Sequence, residues 1–243
     1  MKDNILLIIG ASSAVGISYI KRNHEKYKKI IAHYRSSVEE LEALKGVIGE
    51  KLILLQADLS SKEETCKLAE EITLLEEMPT HVLHLPANKY ANYKFRKIGW
   101  EVFQKDINVQ LRSAVMILSR VLPAMKKKKY GKVVIMLSSC TQNAAPSYLS
   151  SYVSVKYALL GVVKALASEY AAQGICINGV SPSMMETKML NEISALIVKQ
   201  NAEKNPQKRN ARVEDVCPVL EFLLSDESGF VTGQNILVSG GGN

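Results

Sequence analysis

The sequence has few of the residues that cross-link a chain or bind a metal. Its 243 residues include four cysteines and one tryptophan. The cysteines, at positions 66, 140, 176 and 217, show neither C-x-x-C nor Cys/His ligand spacing, which argues against a disulfide framework and a zinc site. A chain of this length can bury enough apolar surface to be stable without either. We therefore expect reduced thiols and no bound metal.

Long hydrophobic runs are also missing. The apolar stretch near the start, Ile5–Ile9, stops at Gly10. A signal peptide needs a longer apolar region followed by a cleavage site, and a membrane span needs roughly 20 apolar residues. We therefore expect a cytoplasmic protein that does not enter a membrane.

Acidic residues are too few to balance the basic ones. The formal net charge is +7, and lysine-rich runs lie at 21–29, 126–129 and 204–212. Such runs are typical of solvated helix ends, but they can also attract a nucleotide phosphate, a CoA thioester or an acidic carrier protein. No aromatic-rich basic groove or nucleic-acid motif accompanies them, so no nucleic-acid partner is expected.

Short apolar runs alternate with amphipathic segments along the whole chain. The predicted strands are 5–9, 30–33, 52–56, 82–85, 133–137, 175–180 and 236–238. The predicted helices lie near 14–24, 37–48, 62–76, 101–128, 152–173, 187–203 and 213–224. Strands this apolar must be buried on both faces, which predicts an α/β fold: a parallel seven-stranded sheet, doubly wound as in a Rossmann domain, with helices on both faces. No linker divides residues 1–243, so we predict one domain.

The polar, basic segment 183–212 is the least regular part of this pattern. It follows a predicted strand at the sheet edge where ligands bind in doubly wound folds. A mobile lid over the substrate is one interpretation. An ordinary pair of surface helices is the other.

The first predicted strand runs into a turn of small residues and then a helix. A pyrophosphate can approach the backbone closely at such a turn, where free N–H groups and the helix dipole stabilise negative charge. The residues predicted to bind a dinucleotide here are Gly10, Ser12, Ser13, Val15 and Gly16.

The second strand ends in Tyr34 and Arg35, with no acidic residue before Glu39. An NAD site places a carboxylate near this point to bind the ribose 2′-hydroxyl, whereas a guanidinium pairs with a 2′-phosphate. The pattern favours NADP(H). A surface arginine at a strand end is the alternative.

A tyrosine followed four residues later by a lysine occurs three times, at Tyr90/Lys94, Tyr93/Lys97 and Tyr152/Lys156. Only Tyr152 opens a long predicted helix and has a serine, Ser139, 13 residues upstream at the end of an apolar strand. A phenol has a pKa near 10, and a nearby ammonium can lower it into the range of general acid–base catalysis. Ser139 could orient a substrate oxygen.

In order and spacing, these segments resemble the short-chain dehydrogenase/reductase family over nearly the whole chain. The turn at 10–16 stands for its T-G-x-x-x-G-x-G element, and Ser139, Tyr152 and Lys156 stand for its catalytic set. The resemblance implies that Tyr152 and Lys156 also contact the cofactor. It implies further roles for Asn108 in a proton relay, for Asp58 and Leu59 beside the adenine, and for Pro182 and Thr187 beside the nicotinamide. Taken alone, Asp58 could equally be the N-cap of the next helix.

The sequence departs from the family pattern around the dinucleotide. Ala14 replaces the middle glycine of the turn, which would weaken cofactor binding if that position needs a positive φ. The family's N-N-A-G element reads Leu85-Pro86-Ala87-Asn88. Pro86 removes an N–H donor, and Asn88 is expected to adopt glycine's left-handed conformation. Pro86, Ala87 and Asn88 are the implied cofactor contacts here.

Within the family, the chain is most similar to the 3-oxoacyl-(acyl-carrier-protein) reductases. This implies NADPH-dependent reduction of a carbonyl on a small molecule or on a carrier. Of the two basic positions that would dock an acidic carrier, Lys129 fits the first, but Gln173 stands at the second. The small, polar segment 141–151 leaves a sugar, polyol or secondary-metabolite ketone open, and a non-catalytic NADP(H)-binding protein is another alternative. Family members are commonly homo-oligomers, so a dimer or tetramer is expected.

Overall fold

The computed structural model describes residues 4–90 and 92–242. Its strands form one parallel seven-stranded sheet in the order β3-β2-β1-β4-β5-β6-β7. They are β1 Ile5–Ile9, β2 Lys29–Tyr34, β3 Leu52–Gln56, β4 His81–His84, β5 Gly131–Met136, β6 Ile175–Pro182 and β7 Asn235–Val238. The predicted single doubly wound α/β fold is confirmed.

Helices connect successive strands and cover both faces of the sheet. They are α1 Ala14–Asn23, α2 Glu39–Ile48, α3 Lys62–Leu74, α4 Trp100–Asp106, α5 Ser113–Lys128, α6 Ser150–Tyr170, α7 Ala195–Lys204 and α8 Val213–Leu223. The turn Ile107–Arg112 between α4 and α5 is π-helical, so one interrupted helix corresponds to the predicted segment 101–128. Among the described helices, none is long and apolar enough to span a membrane.

The apolar strands are buried because each side of the sheet carries its own core. Along β1, alternate side chains point to opposite faces. Ile5, Leu7 and Ile9 belong to one core cluster, while Leu6 and Ile8 belong to the other. This is why the strands appear in the sequence as continuous apolar runs rather than as an alternation of polar and apolar residues.

The strand order places a topological switch point between β1 and β4. β1 connects to β2 on one side, and β4 connects to β5 on the other. In open α/β sheets, ligands bind beyond the carboxyl ends of the strands at such a point. The fold therefore brings the turn after β1 and the loops after β4, β5 and β6 to one cleft.

The segment 183–212 leaves β6 at this same edge. It contains the 3₁₀ turn Lys188–Glu192 and helix α7. Its two ends are held together, since the Ala211 N–H donates to the Met184 carbonyl and the Glu186 N–H donates to the Ala211 carbonyl (3.0 and 2.9 Å). The segment is thus a loop closed at its base, and its role as a lid stays a prediction.

Candidate active site

A cavity of about 860 Å³ occupies the cleft at the carboxyl edge of the sheet. Its walls come from the turn after β1, the loops after β4, β5 and β6, the start of α6 and the segment 183–212. The predicted site residues that line it are Ser12, Ser13, Val15, Ala87, Ser139, Tyr152, Lys156, Pro182 and Thr187.

The N-terminus of α1 opens into this cavity. Ser13 caps the helix, and its hydroxyl accepts a hydrogen bond from the Gly16 N–H (3.1 Å). Within the described chain, the N–H groups of Ser12, Ala14 and Val15 have no protein acceptor. Free N–H groups at a helix N-terminus suit a phosphate or pyrophosphate.

The substitution at Ala14 does not distort this turn. Ala14 is the first residue of α1 and has no positive φ, whereas Gly10 has a φ of +78°. A Cβ on Gly16 would lie 2.4 Å from the Ala11 carbonyl oxygen. The turn therefore needs glycine at positions 10 and 16, and the condition under which Ala14 would weaken cofactor binding is not met.

A buried histidine, to which no pattern in the sequence points, supports the turn from below. His33 on β2 accepts a hydrogen bond from the Gly10 N–H at Nδ1 (3.1 Å), so Nε2 carries the proton and donates to the Ala57 carbonyl (3.0 Å). Burial lowers the pKa of His33 to about 4. The neutral ring therefore ties together the ends of β1, β2 and β3.

In the loop after β4, Asn88, one of the residues that depart from the family pattern, holds the loop against α4. The Asn88 amide donates to the Asp106 carboxylate (2.8 Å) and to the Lys105 carbonyl (3.2 Å) on α4. Asn88 has no positive φ, so the expectation of a left-handed asparagine is wrong. The side chain bonds to α4, and the backbone needs no glycine-like conformation. Pro86 is buried beside Gly10, and Ala87 is exposed to the cavity.

The residues predicted to bind the adenosine lie beyond this cavity. Tyr34 ends β2, Arg35 follows it, and Asp58 and Leu59 follow β3; none of the four lines the cavity. Partial burial acts to raise the pKa of Asp58, but hydrogen bonds from Ser60 and the charge of Arg35 bring it below its usual value. Asp58 does not cap α3, because that cap is Ser61.

Lys156 lies one helical turn after Tyr152 on α6 and is 1% exposed. Its ammonium donates to the Met136 carbonyl at the end of β5 (2.8 Å) and lies 5.6 Å from the centre of the Tyr152 ring. Burial lowers the pKa of Lys156 to about 8. The two side chains predicted to act together are thus adjacent in the cavity.

The predicted lowering of the Tyr152 pKa is not found. Burial raises the pKa of Tyr152 well above that of a free phenol, and the neighbouring Tyr90 raises it further. The Lys156 ammonium lies 5.6 Å from the centre of the Tyr152 ring, and its charge does not outweigh desolvation of the phenol. In this arrangement Tyr152 is a protonated acid.

The serine at the phenol is Ser138. The Ser138 hydroxyl is close enough to the Tyr152 phenol to act against the rise in its pKa. Ser139, predicted for this position, also lines the cavity but begins the 3₁₀ turn Ser139–Thr141 that Ser138 caps. Both serines line the cavity, and the role that spacing from Tyr152 predicts for Ser139 stays a prediction.

The structure does not bring Asn108 to the catalytic pair. Its amide oxygen accepts from Gln104 one turn earlier (3.2 Å), and it is not among the described residues that line the cavity. Two positions further along the π-helical turn, Gln110 is fully buried, and its Oε1 has no described partner. π-Helical turns frequently occur at functional sites, but Gln110, like Asn108, is not among the described residues that line the cavity.

The segment after β6 closes the cavity with apolar side chains. Pro182 ends β6, Thr187 precedes the 3₁₀ turn, and both line the cavity, while their contact with a nicotinamide stays a prediction. The apolar side chains that this segment contributes are Met184, Met185, Leu190 and Ile193, and its polar residues Ser183, Asn201, Lys204 and Asn205 line the cavity as well. From the segment 141–151, predicted to be small and polar, Ala144, Pro146 and Leu149 line the cavity.

The sequence also matches a known family over almost its full length. Residues 10–243 match the profile described as enoyl-(acyl carrier protein) reductase. The chain belongs to the short-chain dehydrogenase/reductase family. Because members of this family are oxidoreductases, this protein is an oxidoreductase.

Two relatives in this family are similar to the chain over nearly its full length. The chain is 27% identical to an acetoacetyl-CoA reductase of Allochromatium vinosum over 98% of this chain and 97% of the relative. It is 26% identical to a 3-oxoacyl-[acyl-carrier-protein] reductase of Rickettsia prowazekii over 97% and 95% of the two chains. A 3-oxoacyl-(acyl-carrier-protein) reductase from Agrobacterium tumefaciens, solved with NADP bound, superposes with a TM-score of 0.86 at 22% identity, over 98% of this chain and 93% of that one.

Proposed function

We propose that this protein is an NADP(H)-dependent reductase of a 3-oxoacyl-type or similar apolar ketone, able to run in reverse as an alcohol dehydrogenase. The observation that carries the proposal is one cavity that holds both the free N–H groups of α1 and the Tyr152–Lys156 pair. A dinucleotide that binds with its pyrophosphate on α1 would have its reactive ring near Tyr152.

The residues around the cavity fit NADP(H). The α1 N-terminus offers N–H donors to the pyrophosphate, and Arg35, exposed after β2, offers a guanidinium to a 2′-phosphate. Thr187 and Pro182 line the nicotinamide side. NADP in the Agrobacterium reductase is consistent with this choice.

Side chains of this protein would donate the proton and bind the oxygen of the carbonyl that is reduced. The cofactor supplies a hydride to the carbonyl carbon. The Ser138 hydroxyl holds the carbonyl oxygen, Ser139 remains a candidate for this role, and Tyr152 gives its proton to the forming alkoxide. Its raised pKa keeps the Tyr152 phenol protonated, so the proton is in place when the alkoxide forms. Lys156 then stabilises the phenolate, since removing the phenol proton places a negative charge near its ammonium.

The apolar wall next to Tyr152 favours an acyl chain over a sugar or polyol. Burying hydroxyl groups against Leu149, Met184 and Ile193 without hydrogen-bond partners would cost free energy. The two curated relatives act on acyl thioesters by name, which is consistent with this class. A carrier docked through Lys129 is a weaker part of the proposal, because Gln173 occupies the second basic position.

Assembly and location remain predictions of the same proposal. We expect a homodimer or homotetramer in the cytoplasm. Val115 on α5 and Tyr157 on α6 are each 49% exposed, and such apolar side chains would be covered in an interface between these helices.

The test is a substrate panel with NADPH and NADH, run on the wild type and on Tyr152→Phe. We expect NADPH-dependent reduction of 3-oxoacyl thioesters. Tyr152→Phe should lose at least about two orders of magnitude in kcat while still binding NADPH. Tyr157→Phe, on the exposed side of the same helix, is the matched control and should keep full activity.

Three results would overturn the proposal. Comparable turnover with NADH and NADPH would remove the cofactor assignment. Reduction of enoyl but not 3-oxoacyl thioesters would change the reaction class. NADPH binding without oxidation by any carbonyl would favour the non-catalytic alternative.

A further inference from the structure

Tyr90 belongs to one of the two tyrosine–lysine pairs that the catalytic assignment leaves unused. The structure brings its ring to the active site, 5.2 Å from the centre of the Tyr152 ring and nearly perpendicular to it, at 74°. An edge-to-face pair of this kind is an attractive, oriented contact.

The loop that carries Tyr90 is fixed on both sides of it. Before Tyr90, Asn88 is bonded to Asp106 on α4 (2.8 Å). After it, the Tyr93 N–H donates to the Tyr148 carbonyl in the loop before α6 (3.0 Å). The chain is therefore anchored two residues before and three residues after Tyr90, and the ring contact with Tyr152 orients the side chain.

Tyr90 is also the only large, rigid neighbour of the catalytic phenol in the described cavity wall. Tyr90 and Tyr152 are the aromatic residues of that wall, and the apolar side chains near them, such as Ala144, Leu149 and Met184, are smaller or flexible. A flexible wall can move away from a bulky substituent, whereas a fixed aromatic ring cannot do so cheaply.

We propose that Tyr90 is a specificity-determining residue that restricts one substituent of the substrate carbonyl to a small group. The carbonyl oxygen must reach the Tyr152 hydroxyl, so one flank of the carbonyl carbon faces Tyr90. A methyl-sized group fits on that flank, and the longer acyl part extends along the flexible wall of the segment 183–212. The inference rests on the proposed reduction and adds its substrate preference.

The test compares two 3-oxo esters that differ only in that substituent. Ethyl 3-oxobutanoate carries a methyl group, and ethyl 3-oxo-3-phenylpropanoate carries a phenyl ring. Wild type should prefer the methyl ketone in kcat/KM. Tyr90→Ala should move the phenyl-to-methyl ratio at least about tenfold toward phenyl, a change in the range of pocket-size effects.

Two variants separate this role from general damage to the loop. Tyr90→Phe keeps the ring, so the ratio should stay at the wild-type value even if turnover falls. Tyr93→Ala is the matched control on the same loop, because its side chain is 43% exposed and its backbone N–H remains. An equal loss on both esters in Tyr90→Ala would overturn the inference, as would the same ratio change in Tyr93→Ala.

A binding measurement keeps the inference distinct from the proposed function. Calorimetry of both esters with NADPH-loaded Tyr152→Phe gives the selectivity without turnover, with and without Tyr90→Ala. A shifted ratio of dissociation constants would support the role of Tyr90 even if the wild type reduces neither ester. An unshifted ratio would overturn it even if the enzyme is an active reductase.

Discussion

The two ends of the cleft depart from expectation in opposite ways. One end is the turn after β1 and the N-terminus of α1, where we propose that the pyrophosphate binds; we call it the phosphate end. Its sequence departs from the family pattern, but its backbone is regular, with Ala14 in a helix and Gly10 at a φ of +78°. At the catalytic end the tyrosine and lysine are kept, but their contacts are not the expected ones, since Lys156 bonds to Met136 and Tyr152 is packed against Tyr90.

The difference follows from which atoms do the work at each end. A phosphate is bound by backbone N–H groups, so a side chain may change wherever the φ allows it. A proton is moved by side chains, whose pKa values depend on every group packed around them. Motif residues are therefore a good guide to the first kind of site and an incomplete guide to the second.

The sharpest test at the catalytic end separates the two adjacent serines. Ser138→Ala removes the hydroxyl that contacts Tyr152, and we expect kcat to fall about a hundredfold, which is within the range for loss of one oxyanion donor. Ser139→Ala should cost only a few-fold. Steady-state kinetics on the same ketone measures both.

Folding is the control for this pair, because Ser138 also caps the 3₁₀ turn after β5. Thermal unfolding of both variants should show losses too small to explain a hundredfold fall in turnover. A larger kinetic defect in Ser139→Ala would return the role to the residue chosen by spacing from Tyr152.

The phosphate end should be the part of the cleft that is sensitive to acid. The pKa of His33 is lowered by burial from about 6.5 to about 4, so the unfolded chain binds this proton more tightly than the folded one. Stability from the neutral ring is complete above about pH 6.5 and is lost as the pH falls toward 4. Between pH 7 and 5 the free energy of unfolding should drop by about 2 kcal/mol from this group.

Denaturant unfolding at several pH values measures that slope. His84, whose pKa burial lowers to about 3, adds a contribution of the same sign. His33→Asn keeps an acceptor near the Gly10 N–H but cannot titrate, so its stability should vary less with pH. An unchanged slope in this variant would show that His33 is not the responsible group.

The glycines of the phosphate turn should differ sharply from the alanine between them. Gly16→Ala places a Cβ 2.4 Å from the Ala11 carbonyl oxygen, so the turn must shift. We expect NADPH binding to weaken at least about tenfold, or 1.4 kcal/mol. Ala14→Gly restores the family residue but should leave affinity nearly unchanged, because Ala14 has no positive φ.

NADPH fluorescence titration gives both dissociation constants. A marked gain in affinity for Ala14→Gly would mean that the bound turn needs a conformation that alanine resists. Equal affinities for Gly16→Ala and the wild type would show that the close packing of Ala11 and Gly16 is not required.

Most of the fold could be predicted because its signal is repeated along the chain. Each strand, such as β1 with Ile5–Ile9, is an uninterrupted apolar run that only a doubly covered parallel strand explains. The π-helical turn at 107–112 was not predictable, since the helical period continues through it. The helix predicted near 187–203 is shorter in the structure, where α7 covers Ala195–Lys204 after the 3₁₀ turn Lys188–Glu192.

The site could be predicted only where its residues are near each other in sequence. Tyr152 and Lys156 lie one helical turn apart, so spacing alone placed them on one face. Tyr90 and His33 reach the cleft from other strands, and no local spacing connects them with their partners. Gln56 and Arg112 likewise fix the loops after β2 and β3 through the carbonyls of Arg35 and Leu59.

The smallest effect that we expect concerns Gln110. Its replacement by methionine should keep or raise the unfolding temperature while it lowers kcat. Its Oε1 is buried without a described partner, and its Nε2 is a distant 3.5 Å from the Asp106 carboxylate. Gln110→Met removes an unpaired polar atom and keeps the shape, so the protein should unfold at the same or a higher temperature. If Gln110 serves a proton path near Lys156, kcat should still fall several-fold.

Asn108→Ala, two positions earlier, is the control and should change neither the unfolding temperature nor kcat, because its amide only accepts from Gln104. A joint loss of stability and activity in Gln110→Met would assign this glutamine to packing, and the catalytic end would then lack a buried relay on the π-helical turn.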